Sequence, residues 1–325
     1  MAKVRVAVLC GGRSGEHEIS LRSSEAILKG LDASKYDVSR VFISKEGNWE
    51  PGPIVPQPGA NPFDVVFPIL HGTFGEDGTV QGLLELADLA YVGPGVMASA
   101  VAMDKDMLKR VLKEQGIPVA ESVTVFRGRY DLKSLQSAFP YPVFVKPANM
   151  GSSVGISKVK CAEDLEAALL LASEFDRKIL VERGIAGREF ECSVLGNEDP
   201  QAAIPCEVLP SREFYDYEDK YLLDTAKTLL PAPLDAAKTA EIRRIAVEAY
   251  RAAGCEGMSR VDFLMEAATG VLYVNEINTI PGFTSISMYP KMWEAAGVPF
   301  SELLDRLIGL ALERHRAKLA TRFTR

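Results

Sequence analysis

Residues 63–72, FDVVFPILHG, are apolar almost throughout, with no alternation of polar and apolar positions. A strand that alternates keeps one wet face. One that does not is buried on both, as in a parallel sheet covered by helices. The neighbouring segments agree with that reading. VRVAVLC runs into Gly11-Gly12, EISLRSSEAILKGL has helical spacing and a glycine near its end, and YDVSRVFIS reads as another strand. TVQGLLELADLA returns to helix and AYVGPG closes the unit. This alternation predicts an α/β unit with a parallel sheet that ends near residue 100.

Beyond it, DKDMLKRVLKEQG predicts a helix with Met107, Leu108, Val111 and Leu112 on its apolar stripe, stopped by Gly116 and Pro118. VFVKPANMGSSVGISKV then reads as strand, turn and strand, followed by the helix AEDLEAALLLASEF and the strand KILVER. In the last third, REFECSVLG and PQAAIPCEVLP are two strands around a turn. SREFYDYEDKYLLDTAKTLLPAP has no periodicity and is long for a plain connection, which favours a working loop. AAKTAEIRRIAVEAYRAAG is an amphipathic helix, MSRVDFLME and VLYVNEIN flank AATG as a hairpin, and FSELLDRLIGLALERHRAKLA closes the chain as a helix.

Composition removes several function classes. The chain has 325 residues, enough for two domains or three small ones, and is 47% hydrophobic and 25% charged, ordinary for a globular enzyme. Its 44 acidic against 37 basic residues leave a net charge of −7, which disfavours broad binding to nucleic acid or an anionic membrane. No window holds the roughly 18 uninterrupted apolar residues of a membrane span. The start, MAKVRVAVLCGG, enters a strand without signal-peptide anatomy. Five cysteines without C-x-x-C spacing read as reduced thiols in a cytosolic protein.

The turn of Gly151, Ser152, Ser153 and Gly155 lets backbone N–H groups approach an anion without obstruction by Cβ atoms. Lys146, at the end of the preceding strand, adds a positive charge. Together they suit nucleotide phosphates, although no G-K-[ST] follows the glycines as the Walker pattern requires. In the late hairpin, Glu276 and Asn278 are two apart and share a face, and Asp262 is at nearly the matching distance from the turn. Two carboxylates and an amide oxygen suit Mg²⁺ bound jointly with phosphates. CGGRSGEHEIS (Glu16, His17, Glu18) and HGTFGEDG (His71, Glu76, Asp77) follow predicted parallel strands, where ligands bind in open α/β sheets. Each of these features also has a plainer reading, as a mobile turn, a solvated sheet face or a helix start.

In combination they carry a resemblance. GGRSGEHEISL, LHGTFGEDGTVQGLLE, VKPANMGSSVGISKV, FYDYEDKY, SRVDF and NEINTIPGFTSISMYP resemble, in order and approximate spacing, the D-alanine–D-alanine ligases of the ATP-grasp superfamily. The resemblance covers nearly the whole chain. It implies a mixed α/β fold, α+β in parts, with three domains: an N-terminal α/β unit (1–103), a central ATP-grasp domain (104–188) and a C-terminal ATP-grasp domain (189–325) carrying a substrate loop at about 210–230. It also implies a cytoplasmic homodimer that joins two D-alanines with ATP through an acyl phosphate for peptidoglycan synthesis, using two Mg²⁺ ions for which Mn²⁺ can substitute.

Residue roles follow from the same resemblance. Lys105 and Lys146 match the lysines that neutralise ATP phosphates, and Ser152 and Ser153 lie in the loop that covers them. Glu182, Arg183 and Glu189 match residues at the adenosine end, with arginine at 183 where many members have lysine. Asp262, Glu276 and Asn278 match the metal ligands. Glu16 matches the partner of the first substrate's ammonium, Arg260 and the Gly282 N–H the oxyanion donors, and Ser287 and Lys220 the binders of the second substrate's carboxylate. Tyr221 matches the tyrosine that bonds toward Glu16 and Ser152, and His71 a histidine near the first substrate. A ligase for D-lactate or another second substrate is the nearest alternative, disfavoured by Tyr221 within DYEDKY. A silent ATP- or amino-acid-binding regulator would have no need of Arg260 beside three metal ligands.

Overall fold

The computed structural model describes residues 2–209 and 227–322. The parallel sheet foreseen at the start of the chain is there. Its strands are β1 (Val4–Gly11), β2 (Tyr36–Ile43), β3 (Trp49–Glu50), β4 (Val65–Pro68) and β5 (Ala90–Tyr91), in the order β3-β2-β1-β4-β5. All pairings are parallel except that of β2 with β3. The apolar run at 63–72 yields a strand of four residues, but burial continues through Ile69, Leu70 and His71. Helices α1 (His17–Gly30) and α2 (Thr79–Leu86) accompany the sheet. Because β2 and β4 lie on opposite sides of β1, the strand order reverses there. A crevice opens beyond the ends of β1 and β4.

Two helices follow, α3 (Val96–Met103) and α4 (Lys105–Glu114). Pattern reading passes over α3 because VMASAVAM is small and apolar all round, without a polar face to mark its period. On α4 the expected stripe is half right. Leu108 and Leu112 are buried, but Met107 is 40% exposed and the buried face is completed by Lys105 and Lys109. Lysines enter a buried face only where acceptors await them, and the site supplies those.

The second sheet is antiparallel, in the order β6-β9-β7-β8, built from β6 (Ser122–Phe126), β7 (Val143–Pro147), β8 (Ser157–Val159) and β9 (Lys178–Arg183). Helix α5 (Leu132–Gln136) packs Leu135 into its core, and α6 (Leu165–Phe175) buries Leu165, Ala168, Leu169 and Ala172 against Val143, Val145, Ile179 and Val181. In the third sheet, β10 (Gly187–Gly196) pairs with both β11 (Gln201–Ala202) and β12 (Cys206–Leu209), the latter bordered by β13 (Lys227–Leu229). PQAAIPCEVLP, expected as one strand, is divided between β11 and β12, with Pro205 in the gap. On its other side β10 pairs with β14 (Gly257–Glu266), which forms the predicted hairpin with β15 (Leu272–Asn278).

Helix α7 (Ala236–Ala252) covers this third sheet with Ile242, Ile245, Ala246, Ala249 and Tyr250. The last helices, α8 (Met288–Ala295) and α9 (Phe300–Leu319), do something else. Leu303, Leu304, Leu307 and Ile308 share one core with Val6, Val8, Phe67 and Ile69 of the first sheet and Met258 of the third. The two ends of the chain are thereby packed into one body.

Candidate active site

A cavity of about 490 Å³ lies between the second and third sheets. Lys146, at the end of β7, points its ammonium at Glu182 Oε1 (2.7 Å) and Asn275 Oδ1 (3.3 Å). Glu182 sits on the adjacent strand β9, and its other oxygen meets Lys109 Nζ at 2.8 Å. Burial alone would raise the Glu182 pKa, but Lys146 and Lys109 hold it at about 2. Lys109 is itself shifted down, chiefly by burial. Lys105, one helical turn before Lys109, donates to the Met150 carbonyl at 2.6 Å and so grips the glycine- and serine-rich turn.

That turn is tightly wound. Ser152 and Ser153 both adopt left-handed backbone, with φ of +51° and +60°. Such conformations cost of order 1–3 kcal/mol each for residues with a Cβ and persist where the surroundings impose them. The Asp176 carboxylate accepts from the Asn149 backbone and side-chain N–H groups, both at 2.9 Å. At Gly155 a Cβ would come within 2.5 Å of the Phe175 ring, so only glycine fits. Arg183 and Glu189 line the same cavity. The Arg183 guanidinium donates to Glu266 Oε1 (2.9 Å) and the Tyr273 hydroxyl (3.2 Å), tying the connection after β9 to the third sheet.

A second cavity, of about 800 Å³, occupies the crevice beyond β1 and β4. Glu16 reaches it from the loop after β1 and accepts a 2.5 Å hydrogen bond from the Ser152 hydroxyl. His71 and Glu76 arrive from the loop after β4. His71 is buried; Nδ1–H donates to the Ile280 carbonyl (2.9 Å), which leaves Nε2 to accept from Ser23 Oγ (3.3 Å). Burial lowers the His71 pKa and favours the neutral ring. Glu76 accepts from the backbone N–H groups of Gly72 (2.8 Å) and Ile280 (3.0 Å). Burial, with the nearby Glu16 charge, pushes its carboxyl up to about 8. The opposite wall is the loop after β15, where Gly282 lies against Ser287 and the Ser287 hydroxyl accepts from Thr284 N–H (3.0 Å).

The two cavities meet at a wall formed by β10, β14 and β15. The hairpin register sets Asp262 opposite Glu276 and Arg260 opposite Asn278, with a bulge after Asp262. Glu191 on β10 is paired with Asp262 from the other side. Arg260 donates to both oxygens of Asp262 at 2.7 Å, its Nε lies 3.3 Å from Glu191 Oε2, and Asn278 Nδ2 donates to Asp262 Oδ2 at 2.9 Å. Burial would lower the Arg260 pKa, but Asp262 and Glu191 raise it, so the guanidinium stays charged. Asp262, Glu276 and Asn278 offer hard oxygen donors of the kind Mg²⁺ prefers. Among the described residues no group of three His, Cys, Asp or Glu is drawn together to cage an ion by itself. Donors of this type suit an ion that completes its shell with phosphate oxygens and water.

Every described residue given a role by the resemblance lines one of these cavities. Of the loop residues read beside them Glu76 does too, but His17, Glu18 and Asp77 do not. They are bonded instead to the Gly12 carbonyl, to Lys45, and to the Phe74 and Thr79 N–H groups. Lys105, Lys146, Ser153, Glu182, Arg183, Glu189 and Asp262 face the first; Glu16, His71, Ser152, Arg260, Asn278, Gly282 and Ser287 face the second; Glu276 borders both. Lys220 and Tyr221 lie outside the described residues. Sequence reasoning missed three charged groups. Glu191 borders both cavities, and its period-two spacing from Glu189 on one strand was the available signal. Lys109 is four residues after Lys105 on α4, a spacing that repeats a face. Asp176 carried no signal, because its partner Asn149 lies across the sheet.

Sheets and cavities of this kind define an ATP-grasp enzyme, and the comparisons with known proteins narrow the class. The D-ala D-ala ligase N-terminus family model matches residues 5–58 and 52–94, and the D-ala D-ala ligase C-terminus model matches residues 111–309. A D-alanine--D-alanine ligase from Solibacter usitatus (strain Ellin6076) is 65% identical over 324 residues, covering 99% of this chain and 100% of the relative. One from Thermoanaerobacter sp. (strain X514) is 50% identical over 356 residues, covering 98% and 99%. Among solved structures, the D-alanine-D-alanine ligase from Coxiella burnetii superposes with a TM-score of 0.87 at 40% identity, covering 98% of this chain and 96% of that one. The VanG D-Ala:D-Ser ligase from Enterococcus faecalis superposes at 0.88 with 37% identity, covering 95% and 100%. The chain belongs to the D-alanine–D-alanine ligase family.

Proposed function

We propose that this protein is an ATP-dependent ligase that joins two D-alanines into D-alanyl-D-alanine for peptidoglycan precursors. The observation that carries the reading is the shared wall. A cavity rich in lysine and a cavity holding Glu16 meet at Glu276 and Glu191, so a phosphate end and a substrate carboxylate would be brought face to face.

Lys105 and Lys146 draw the triphosphate in, and the turn around Ser152 and Ser153 closes over it and excludes water. Glu189 and Arg183 lie at the adenosine end. Asp262, Glu276 and Asn278 would hold Mg²⁺, as one ion or two, and Mn²⁺ could take the same donors. When bound, the ion neutralises phosphate charge during transfer. Glu16 pairs with the ammonium of the first D-alanine, whose carboxylate attacks the γ-phosphorus and releases ADP. The amine of the second D-alanine then attacks the acyl phosphate. Arg260 and the Gly282 N–H stabilise the tetrahedral oxyanion, phosphate leaves, and an amine proton is lost to solvent. Ser287 takes the second carboxylate, and Lys220 and Tyr221, outside the described residues, are left with the roles the resemblance implies. His71 acts from behind, holding the 280–282 segment that presents the Gly282 N–H.

The reading also assigns three domains, 1–103, 104–188 and 189–325; the three separate sheets support the division, with β10 of the third starting at Gly187, two residues ahead of the last bound. It further assigns a homodimer, testable by sedimentation, and a place in the cytoplasm where ATP is available. No helix among the described residues is long and apolar enough to cross a membrane. The deciding experiment measures phosphate release from Mg-ATP with D-alanine, D-serine, D-lactate or L-alanine, with product mass read in parallel. Turnover that requires D-alanine and yields the dipeptide supports the reading; turnover only when D-serine or D-lactate is present would replace its second substrate.

A further inference from the structure

Lys109 touches neither cavity, and the reaction as derived leaves it without a task. It is nevertheless one of the most deeply buried charges in the molecule, with a side chain 4% exposed. Its ammonium has two partners, Glu182 Oε2 at 2.8 Å and the Ala120 carbonyl at 3.2 Å. A buried ammonium is retained only where pairing offsets its desolvation. Glu182 already has a partner in Lys146, at 2.7 Å. That single pair would be self-sufficient, and it would also be neutral. A neutral Lys146–Glu182 pair presents little attraction to a triphosphate.

With Lys109 the balance changes. Two ammoniums share one carboxylate, which leaves one positive charge at the end of β7, where Lys146 enters the cavity. Helix α4 thus contributes twice: Lys105 borders the cavity directly, and Lys109 acts from behind the strand. We propose that Lys109 is a positioning residue for nucleotide binding: it supplies the second counter-charge to Glu182, so that Glu182 can hold Lys146 in place without neutralising it. The proposal rests on the ATP reading of this cavity.

The test compares ATP, ADP and adenosine as ligands, by calorimetry or by competition, for the parent, Lys109→Met, Lys109→Gln, Lys109→Arg and the double variant Lys109→Met with Glu182→Gln. Lys109→Gln removes the charge but keeps a donor for Glu182 and serves if the methionine variant fails to fold. Loss of the charge is expected to weaken ATP and ADP by about tenfold or more, the scale of one charge-assisted contact, while adenosine binding stays at the parent level. Lys109→Arg retains ATP affinity. The double variant, whose net charge returns to that of the parent, recovers most of the preference for ATP over adenosine, the readout that is independent of any contact Glu182 makes with the adenosine end. Equal weakening of all three ligands, or unchanged ATP affinity in Lys109→Gln, would overturn the proposal and leave a structural role. A parent that binds no ATP would overturn the nucleotide reading, and this inference with it.

Discussion

Glu182 and Glu76 are both enclosed carboxyl groups, one in each cavity, and they are displaced in opposite directions. Glu182 lies between two ammoniums and is held at about 2. Glu76 faces two backbone N–H groups and the nearby Glu16 charge, and is pushed up to about 8. Burial disfavours the ionised form of both. What separates them is whether a full positive charge stands within hydrogen-bonding distance. The first cavity is thus organised around fixed ions, and the second around a carboxyl whose charge depends on pH.

The contrast can be broken at either end. The largest effect is expected from Glu182→Gln, which strands two buried ammoniums and should cost about 3–5 kcal/mol of stability at pH 7, measured by urea unfolding. Its pH dependence has a definite sign. The folded pKa is depressed, so the contribution of Glu182 is present above its unfolded value of 4.5 and is lost as pH falls toward about 2. The variant should lack this acid-sensitive component. Next comes Arg260→Ala at the shared wall, with an expected loss of about 10²–10³ in kcat and a much smaller change in ATP affinity. Stopped-flow phosphate release together with nucleotide titration would separate the two quantities.

Glu76→Gln should sharpen the comparison. The folded pKa is raised, so the stability that Glu76 contributes is complete below 4.5 and is lost as pH rises through about 8. The parent should therefore lose up to about 1.4 kcal/mol per pH unit from this residue across that window, and the glutamine variant should not. Thermal melts from pH 5 to 9 read the difference directly; parallel curves would mean that Glu76 is ionised throughout. The smallest effect is expected from Ser287→Ala, which removes the acceptor for Thr284 N–H at a cost of about 1 kcal/mol and should raise KM for the second D-alanine more than for ATP.

Much of this arrangement was legible before the structure because it rests on short-range periodicity. The hairpin around AATG was legible from its two strands, but counting outward pairs Asp262 with Asn275, and it is the bulge after Asp262 that sets Glu276 opposite it. The loops after β1 and β4 follow from strand–helix alternation. What escaped depends on partners far away in the chain. Glu76 gains its meaning from the N–H of Ile280, and Lys109 from Glu182. On α4 hydrophobic spacing pointed to Met107 and Val111, whereas the fold turned Lys105 and Lys109 inward. An acceptor 45 residues away, in Met150, was invisible to a local pattern.

The packing of α8 and α9 against the first sheet has a consequence for synthesis. His71 and Ser23 are made early, yet their partners are Ile280 and Phe283. A chain that has left the ribosome only as far as Gly270 already contains Lys105, Lys146 and the whole glycine- and serine-rich turn. It lacks the Gly282 N–H, and β15, which carries Glu276 and Asn278, has yet to emerge. Domains form in order of emergence, so the second sheet with its lysines takes shape before the hairpin strand that completes both cavities.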